Sequence, residues 1–276
     1  NDTLYVTQQG TYTARAVTST CESTEEVQIY KPIYVAKTGS DSNGDGTFGN
    51  PFLTIQKGID IASEGQKIYV LPGTYEEGQL NFETTSNSGN YKSVYIASDF
   101  VRLGSAAAIA ATKIDADGEE YLIHINGSNT STIQGFTLTG QVGGSDWEGA
   151  LLRLNNGASL TFKDLVISGN VRDQSYSPEA QIMNVRYNSH PVFENVVFKS
   201  NGNINLESRQ IAFIYSNASA TFTNCKWENN YVSEQIVRVQ NNSHATFENN
   251  LFLGNGSGDW GIVAVEESNC SVVFSN

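Results

Sequence analysis

Apolar and polar residues alternate in short runs along most of this chain, and the runs themselves recur. From residue 131 onward the segments TIQGFTLTG, TFKDLVISGN, VFENVVFKSN, TFTNCKWENN and TFENNLFLGN repeat one pattern. Alternation of period two predicts a β-strand in each. Aligning Ile133, Phe162, Phe193, Phe222, Phe247 and Phe274 sets the copies 25 to 31 residues apart. Irregular spacing of a fixed motif suits stacked coils whose loops vary while their strands stay in register. A second strand precedes each copy: ALLRLNN, QIMNVRYN, QIAFIYSN, QIVRVQNN and GIVAVEES. Its alternation turns Leu152, Met183, Ala212 and Val237 inward, with Leu154, Val185, Ile214 and Val239. The opposite parity sends Arg153, Asn184, Phe213 and Arg238 outward in one column, and Asn155, Arg186, Tyr215 and Gln240 in the next.

The alignment also produces three columns of amides. Two residues after the aromatic come Asp164, Asn195, Asn224, Asn249 and Asn276. Eight after it come Asn170, Asn201, Asn230 and Asn255, and five before it Asn188, Asn217, Asn242 and Asn269. Identical amides one strand spacing apart can donate in one direction and accept from the other, which requires coils stacked in parallel. Asn also tolerates the left-handed backbone of sharp corners. Parallel strands in coils of this length predict an all-β right-handed parallel β-helix.

Upstream, Ile55, Ile59 and Ala62 fall at i, i+4 and i+7 between Thr54 and Ser63, the stripe of a short amphipathic helix. Such a helix would cap the open first coil, whose edge otherwise templates aggregation. It lies within IYVAKTGSDSNGDGTFGNPFLTIQKGIDIASEGQKIYVLPGTYEE, residues 33–77. This stretch resembles the opening of the pectate-lyase-like right-handed β-helix superfamily, in which NPF-TIQ, a short helix and G-IYV-PGTY follow one another. SVYIASDFVRLGSAAAIAATKIDADG resembles the next stretch of its secreted, repeat-bearing bacterial members. The resemblance spans about residues 31–276 and implies the β-helix fold, with polysaccharide lyases and glycosidases among the relatives. Residues 1–30 alternate like strands (Leu4, Val6; Tyr12, Ala14, Ala16) around an expected turn at Gly10. They resemble the last hairpin of an immunoglobulin-like module. That implies a segment of a longer polypeptide, with any signal sequence and anchor elsewhere. The chain stops at VVFSN, on a repeat strand, so the β-helix is expected to be truncated there.

Composition narrows the function classes. Sixteen basic against 29 acidic residues give a net charge of −13, which disfavours nucleic acid and anionic membranes as partners. No window approaches the ~18 apolar residues of a membrane span. The three cysteines, Cys21, Cys225 and Cys270, have no zinc-site spacing, and Cys225 sits at an apolar position of the repeat.

Candidate chemistry is sparse. In DSNGDGTFGNPF, Asp41, Asn43 and Asp45 occupy the first, third and fifth positions of an EF-hand loop. The twelfth position, where that loop needs a bidentate Glu, is Phe52. The stretch reads first as a polar turn, with a weak calcium site as the alternative and Ca2+ the one cofactor in view. A lyase acting on uronic sugars needs a cation at the carboxylate and a base near the α-proton. Arg153, Arg186 and Arg238 share the required face, but no base is evident beside them. An inverting glycosidase needs two carboxyls roughly 6.5–9.5 Å apart; Glu266 and Glu267 lie on one coil only. His190 and His244 are two coils apart with Ser219 between them, about 10 Å from the strand spacing, too far to share a metal. His124 has no evident partner. Aromatics are more suggestive: Trp147, Tyr176, Tyr231 and Trp260 in the loops, with outward Phe213 and Tyr215, would form a strip on which sugar rings stack. Folding back as packing is the alternative for the loop aromatics.

The expectation is therefore a rigid, non-catalytic adhesive or carbohydrate-binding module of a large secreted or surface-displayed bacterial protein, with polysaccharide or glycan as partner. A polysaccharide lyase or glycoside hydrolase and a purely structural spacer are the alternatives.

Overall fold

A computed structural model describes residues 8–17, 21–85, 88–142, 150–171, 180–202, 209–258 and 261–276. The chain winds as a right-handed parallel β-helix with three sheets along its length. A nine-stranded sheet runs from Ile33–Val35 to Ser271–Ser275, a seven-stranded sheet from Gly73–Glu76 to Leu251–Leu253, and a six-stranded sheet from Ile123–Asn126 to Val263–Val265. Each regular coil passes from the six- to the nine- to the seven-stranded sheet. The chain then crosses back through 140–151, 169–179, 200–209, 229–234 or 254–262, the longest connections of the coils.

Register follows the sequence repeat. Thr161, Phe162 and Lys163 pair with Val192, Phe193 and Glu194, which pair with Thr221, Phe222 and Thr223. Identical side chains therefore stack. Phe162, Phe193, Phe222, Phe247 and Phe274 lie face to face with centroids 4.9–5.0 Å apart. Phe198, Trp227 and Phe252 form a second stack beside them. The predicted inward residues Leu152, Met183, Ala212, Val237, Leu154, Val185, Ile214 and Val239 are all fully buried.

The three amide columns do different work. At the corner after the seven-stranded sheet, Asn170, Asn201 and Asn230 are completely buried. The amide of Asn170 donates to Asn201 Oδ1 at 3.0 Å, Asn201 to Asn230 at 3.0 Å, and Asn230 to Asn255 at 2.9 Å. Each of those Oδ1 atoms also accepts the backbone N–H of the preceding coil's asparagine at 3.0–3.3 Å. The amides of Asn201, Asn230 and Asn255 donate again to the carbonyl oxygens of Ile167, Phe198 and Trp227 at 2.7–2.9 Å. Gln141 adds the first rung, its backbone N–H donating to Asn170 Oδ1 at 3.2 Å. It holds the same offset from Ile133 without being an asparagine.

The second column, Asp164, Asn195, Asn224 and Asn249, shares a left-handed backbone, with φ from 51° to 55°. It makes the tight corner between the nine- and seven-stranded sheets, and Asn195 donates to Asp164 there at 2.9 Å. The third column closes two-residue left-handed turns, Tyr187–Asn188, Ser216–Asn217 and Asn241–Asn242. Asn and Gly populate this region at least strain.

The N-terminal cap forms as the apolar stripe requires. The helix spans Ile55–Ile61, Thr54 accepts the Lys57 N–H at its start, and Ile55 and Ile59 are fully buried. Gly58 permits the close approach: a Cβ there would meet Val35 and Ile68 methyls at 3.1 Å. Before the solenoid, Gly10–Val17 and Glu22–Ile29 pair as an antiparallel hairpin that is almost wholly exposed. Gly10 opens the first strand opposite Ile29, and the segment expected to precede a turn there lies outside the described residues. Leu4 and Val6 fall outside the described residues. At the far end, Leu251, Leu253, Val273 and Phe274 are more than half exposed.

Replacing Asn201 by Leu removes one rung and strands both neighbours, at an expected cost of about 2–4 kcal/mol. Asn224→Gly, on an exposed left-handed corner, is expected to stay within about 0.5 kcal/mol. Urea unfolding of the two variants separates the columns, and equal losses would refute the distinction. Thiol labelling gives a second check. Cys21 is exposed, Cys270 partly so, and burial pushes the Cys225 thiol up to about 12. Native protein should label at Cys21 first and at Cys225 only on unfolding; comparable rates would contradict the buried position.

Candidate functional site

Where the crossing connections join the six-stranded sheet, its outer face collects most of the chemistry. His124, Arg153, Asn184, Phe213 and Arg238 follow one another in register. Arg186, Tyr215 and Gln240 form the neighbouring column. Arg153 Nη1 donates to the Tyr121 hydroxyl at 2.9 Å, and its guanidinium carbon Cζ lies 5.5 Å from the ring centroid. Tyr121 in turn packs 5.2 Å from His124, so His124 has an aromatic partner that the sequence did not reveal. Arg186 sits over both Phe213 and Tyr215, at 5.5 and 5.4 Å, and its Nε donates to Asn184 Oδ1 at 2.7 Å. Arg238 covers Phe213 at 5.5 Å. Guanidinium groups held on ring faces in this way are oriented by cation–π attraction.

The face is drier than period-two alternation suggests. Phe213 is 3 % exposed and Arg186 5 %, and Asn184 is fully buried. Ala150 and Tyr215 pack on Phe213 as a small second core. An aromatic strip of freely exposed Phe213 and Tyr215 is therefore corrected: Tyr215 is half-buried and Phe213 is covered. Alternation tells which side of a sheet a residue leaves, and packing on that side decides whether water reaches it. Burial holds the Arg186 guanidinium below its ordinary value, against the pull of Tyr187. Trp147, Trp260 and Tyr176 lie outside the described residues.

Glu266 and a second carboxylate that sequence reasoning missed, Glu234, converge on Arg238. Its Nη2 bonds Glu266 at 2.6 Å, and Nη1 lies 3.7 Å from Glu234. Glu234 ends a crossing connection immediately before the strand Gln235–Gln240, so it belongs to no repeat column. It also accepts from Gln210 Nε2 at 2.5 Å. Among the described residues, Gln210 Oε1 and Arg238 Nε are buried without a hydrogen-bond partner. The sequence expectation that no carboxyl pair stands beside the arginines is thus corrected. Glu234 precedes the strand Gln235–Gln240 and Glu266 follows the strand Val263–Val265, so neither falls in a strand column and strand alignment cannot pair them.

A family model described as a protein of unknown function, DUF1565, matches residues 37–268. The chain belongs to that family. No curated protein and no solved structure matches it. The DUF1565 match covers the capping helix and nearly all the coils, and it begins after the hairpin.

In this DUF1565 chain the acidic stretch at 41–52 is committed to backbone. Asp41 Oδ1 accepts the N–H groups of Leu53 and Thr54 at 2.7 and 3.1 Å, and Oδ2 accepts the Thr54 hydroxyl at 2.7 Å. Asp45 Oδ1 accepts the Thr47 N–H and hydroxyl at 2.9 and 2.7 Å. The Asn43 carbonyl accepts from Asn50 at 3.0 Å. Glu77 completes the helix start, taking Ile55 N–H at 2.6 Å and Gln56 N–H at 3.1 Å. Asp41 and Glu77 satisfy N–H groups at the helix start that the helix itself leaves open, while Asp45 closes a turn at Thr47. Among the described residues, no three His, Cys, Asp or Glu side chains are grouped to hold a metal ion. His190 and His244 each bond a serine of the next coil, Ser219 and Ser271, at 2.8 Å.

Asp41→Ala should lower stability by about 1–3 kcal/mol, since it strands two backbone donors. Millimolar calcium should leave the melting temperature of the unaltered protein unchanged; a calcium-dependent rise would make Asp41, Asn43 and Asp45 a metal site. Burial raises the Glu77 carboxyl above its ordinary value, opposed by its two backbone donors. A raised carboxyl contributes stability that is complete below the unfolded value of 4.5 and fades as pH climbs through the folded one. The stability of the unaltered protein relative to Glu77→Gln should therefore fall as pH rises from 4 toward neutrality. A pH-independent difference in melting would rule this out.

Proposed function

We propose that this chain is a rigid, non-catalytic glycan-binding module of a larger secreted or surface-displayed bacterial protein. The polysaccharide would lie along the outer face of the six-stranded sheet. One observation carries the reading: Arg153, Arg186 and Arg238 are held in fixed orientation on the rings of Tyr121, Phe213 and Tyr215. Arg153 and Arg238 keep partial exposure beside the half-buried Tyr121 and Tyr215, and such fixed donors beside aromatic faces suit hydroxyl and ring recognition, because little ordering is left to do on binding. Repeating coils extend that face along the solenoid axis, matching a polymeric ligand. The hairpin at Gly10–Ile29, exposed on both sides, is consistent with the end of a preceding immunoglobulin-like module and with a continuing polypeptide.

A second reading rests on the convergence of Glu234 and Glu266 at Arg238. Two carboxyls from adjacent coils are the minimum equipment of a glycoside hydrolase, one as acid and one as base or nucleophile. Their shared guanidinium argues for a structural role, because Arg238 engages both carboxylates in ion pairs.

The test is affinity electrophoresis against neutral and uronic polysaccharides, with reducing ends assayed in parallel. Retardation without cleavage is expected, weakened about tenfold by Arg153→Ala and by Tyr215→Ala in variants that still melt cooperatively. Absence of retardation by every polysaccharide would leave the spacer reading. New reducing ends that disappear in Glu234→Gln and Glu266→Gln would replace the proposal by the hydrolase.

A further inference from the structure

A second cleft lies on a different sheet, near the N-terminal end, and owes nothing to the six-stranded face. It encloses ≈ 380 Å³ and is lined chiefly by Tyr34, Phe48, Tyr69, Asp99, Val101 and Arg102. Its floor follows from register. Tyr34 and Tyr69 are paired on the outer side of the nine-stranded sheet, and the next position in that row is Ala97. The small residue ends the aromatic row. Ser98 then turns the chain off the sheet, accepting the Phe100 N–H at 3.1 Å while its hydroxyl donates to the Gly135 carbonyl. The one-turn helix Phe100–Leu103 forms the far wall. Gly135 is required beneath it, because a Cβ would fall 2.6 Å from Phe100 Cβ.

The near wall comes from the acidic loop. Tyr34 N–H donates to the Gly46 carbonyl at 2.8 Å, and Phe52 N–H donates to the Tyr34 carbonyl at 3.0 Å. Asp45 fixes the turn between them through Thr47. Of the two phenylalanines in this loop, Phe52 enters the core and Phe48 is 67 % exposed. Phe48 stands edge-on to Tyr34, with centroids 5.4 Å apart and planes at 81°, while Tyr34 and Tyr69 are 5.8 Å apart. Phe48 with Tyr34 and Tyr69 makes a contiguous aromatic wall open to solvent, held in place by a pinned loop.

We propose that this cleft binds one ring of a neutral hexopyranose chain, packed against Phe48 and the two tyrosines. A pyranose offers an apolar face of C–H groups with hydroxyls around its edge. The rim supplies the complement: Asp99 and Arg102 form a planar two-bond pair, Nε to Oδ1 at 2.9 Å and Nη2 to Oδ2 at 2.7 Å. Its outer edge presents donors and acceptors side by side, the pattern of a vicinal diol. Asp99 compensates the guanidinium charge, so a neutral sugar fits better than a uronate in a chain of net charge −13. The volume lies at the small end of ligand sites, one or two sugar rings rather than a protein surface.

Saturation-transfer NMR and calorimetry with cellotetraose, galactotetraose and a galacturonate tetramer test this directly. At least one neutral tetrasaccharide should bind, and Phe48→Ala and Arg102→Ala should each weaken it by about tenfold or more. Both residues are exposed, so melting should be unchanged in these variants. Failure of both neutral tetrasaccharides to bind at about 10 mM, far weaker than ordinary lectin-type affinity, overturns the proposal. So does binding that survives Phe48→Ala, or preference for the galacturonate. Loss in Tyr215→Ala but not in Phe48→Ala would assign the ligand to the six-stranded face, overturning this site and leaving the other intact.

Discussion

A primary amide sealed inside an apolar solenoid has two hydrogens and an acceptor to satisfy, and the only groups within reach belong to the coil above, the coil below and its own corner. Asn201 meets all of them at once. Its Oδ1 receives two bonds from Asn170, and its amide gives one to Asn230 and one to the Ile167 carbonyl. A slip of one residue between coils would break every one of these bonds and leave buried polar atoms on both sides. The ladder therefore fixes register, and register fixes the rest. The Phe162 to Phe274 stack has the repeat of neighbouring strands because the ladder holds each phenylalanine over the last. The left-handed corners recur at the same positions for the same reason.

This constraint also says where the molecule is free to vary. The ladder residues come immediately before the crossing connections, so each coil is locked before its longest loop begins. Length and composition can change in those loops without disturbing the core, which is why the repeat spacing is uneven while the strands stay aligned. The loops all deliver the chain to one sheet. Its outer face thereby becomes the surface where rigid strands and variable segments meet, and Glu234 at Arg238 is an instance of what such a meeting can assemble.

Much of the fold was legible in the sequence because it is periodic. Inward residues, stacked aromatics, amide columns and the helix at 55–61 are all repeats or stripes, and position alone identifies them. The three amide columns looked equivalent, however. Only the direction of the chain at each corner decides that Asn201 faces the core while Asn224 faces water, and that depends on coordinates in three dimensions. Gln141 was invisible as a rung because it was sought by residue type, though its offset from Ile133 was correct. The outer face failed differently. Arg186 and Phe213 were placed on the proper side, but their burial comes from Ala150, Tyr215 and each other, none of which strand parity can rank. Phe48 belongs to no repeat at all, and its exposure follows from a loop pinned at Gly46 and Phe52.

The acidic loop shows why charge counts and motif offsets are weak guides to ligands. Asp41, Asp45 and Glu77 contribute to a net charge of −13 that suggests cation binding, and two of them stand at calcium-loop positions. Yet each is aimed at backbone N–H groups, Asp41 and Glu77 at the start of a helix whose dipole favours an anion. Their negative charge is used locally, within hydrogen-bond distance. The six-stranded face is the converse case, where a strongly acidic protein concentrates three guanidinium groups on aromatic rings. A ligand meets the field of the few groups it touches, since charges beyond about 8–10 Å are screened at ordinary ionic strength. The sign of the whole chain is a weak guide to partners, and each surface has to be read from its own side chains.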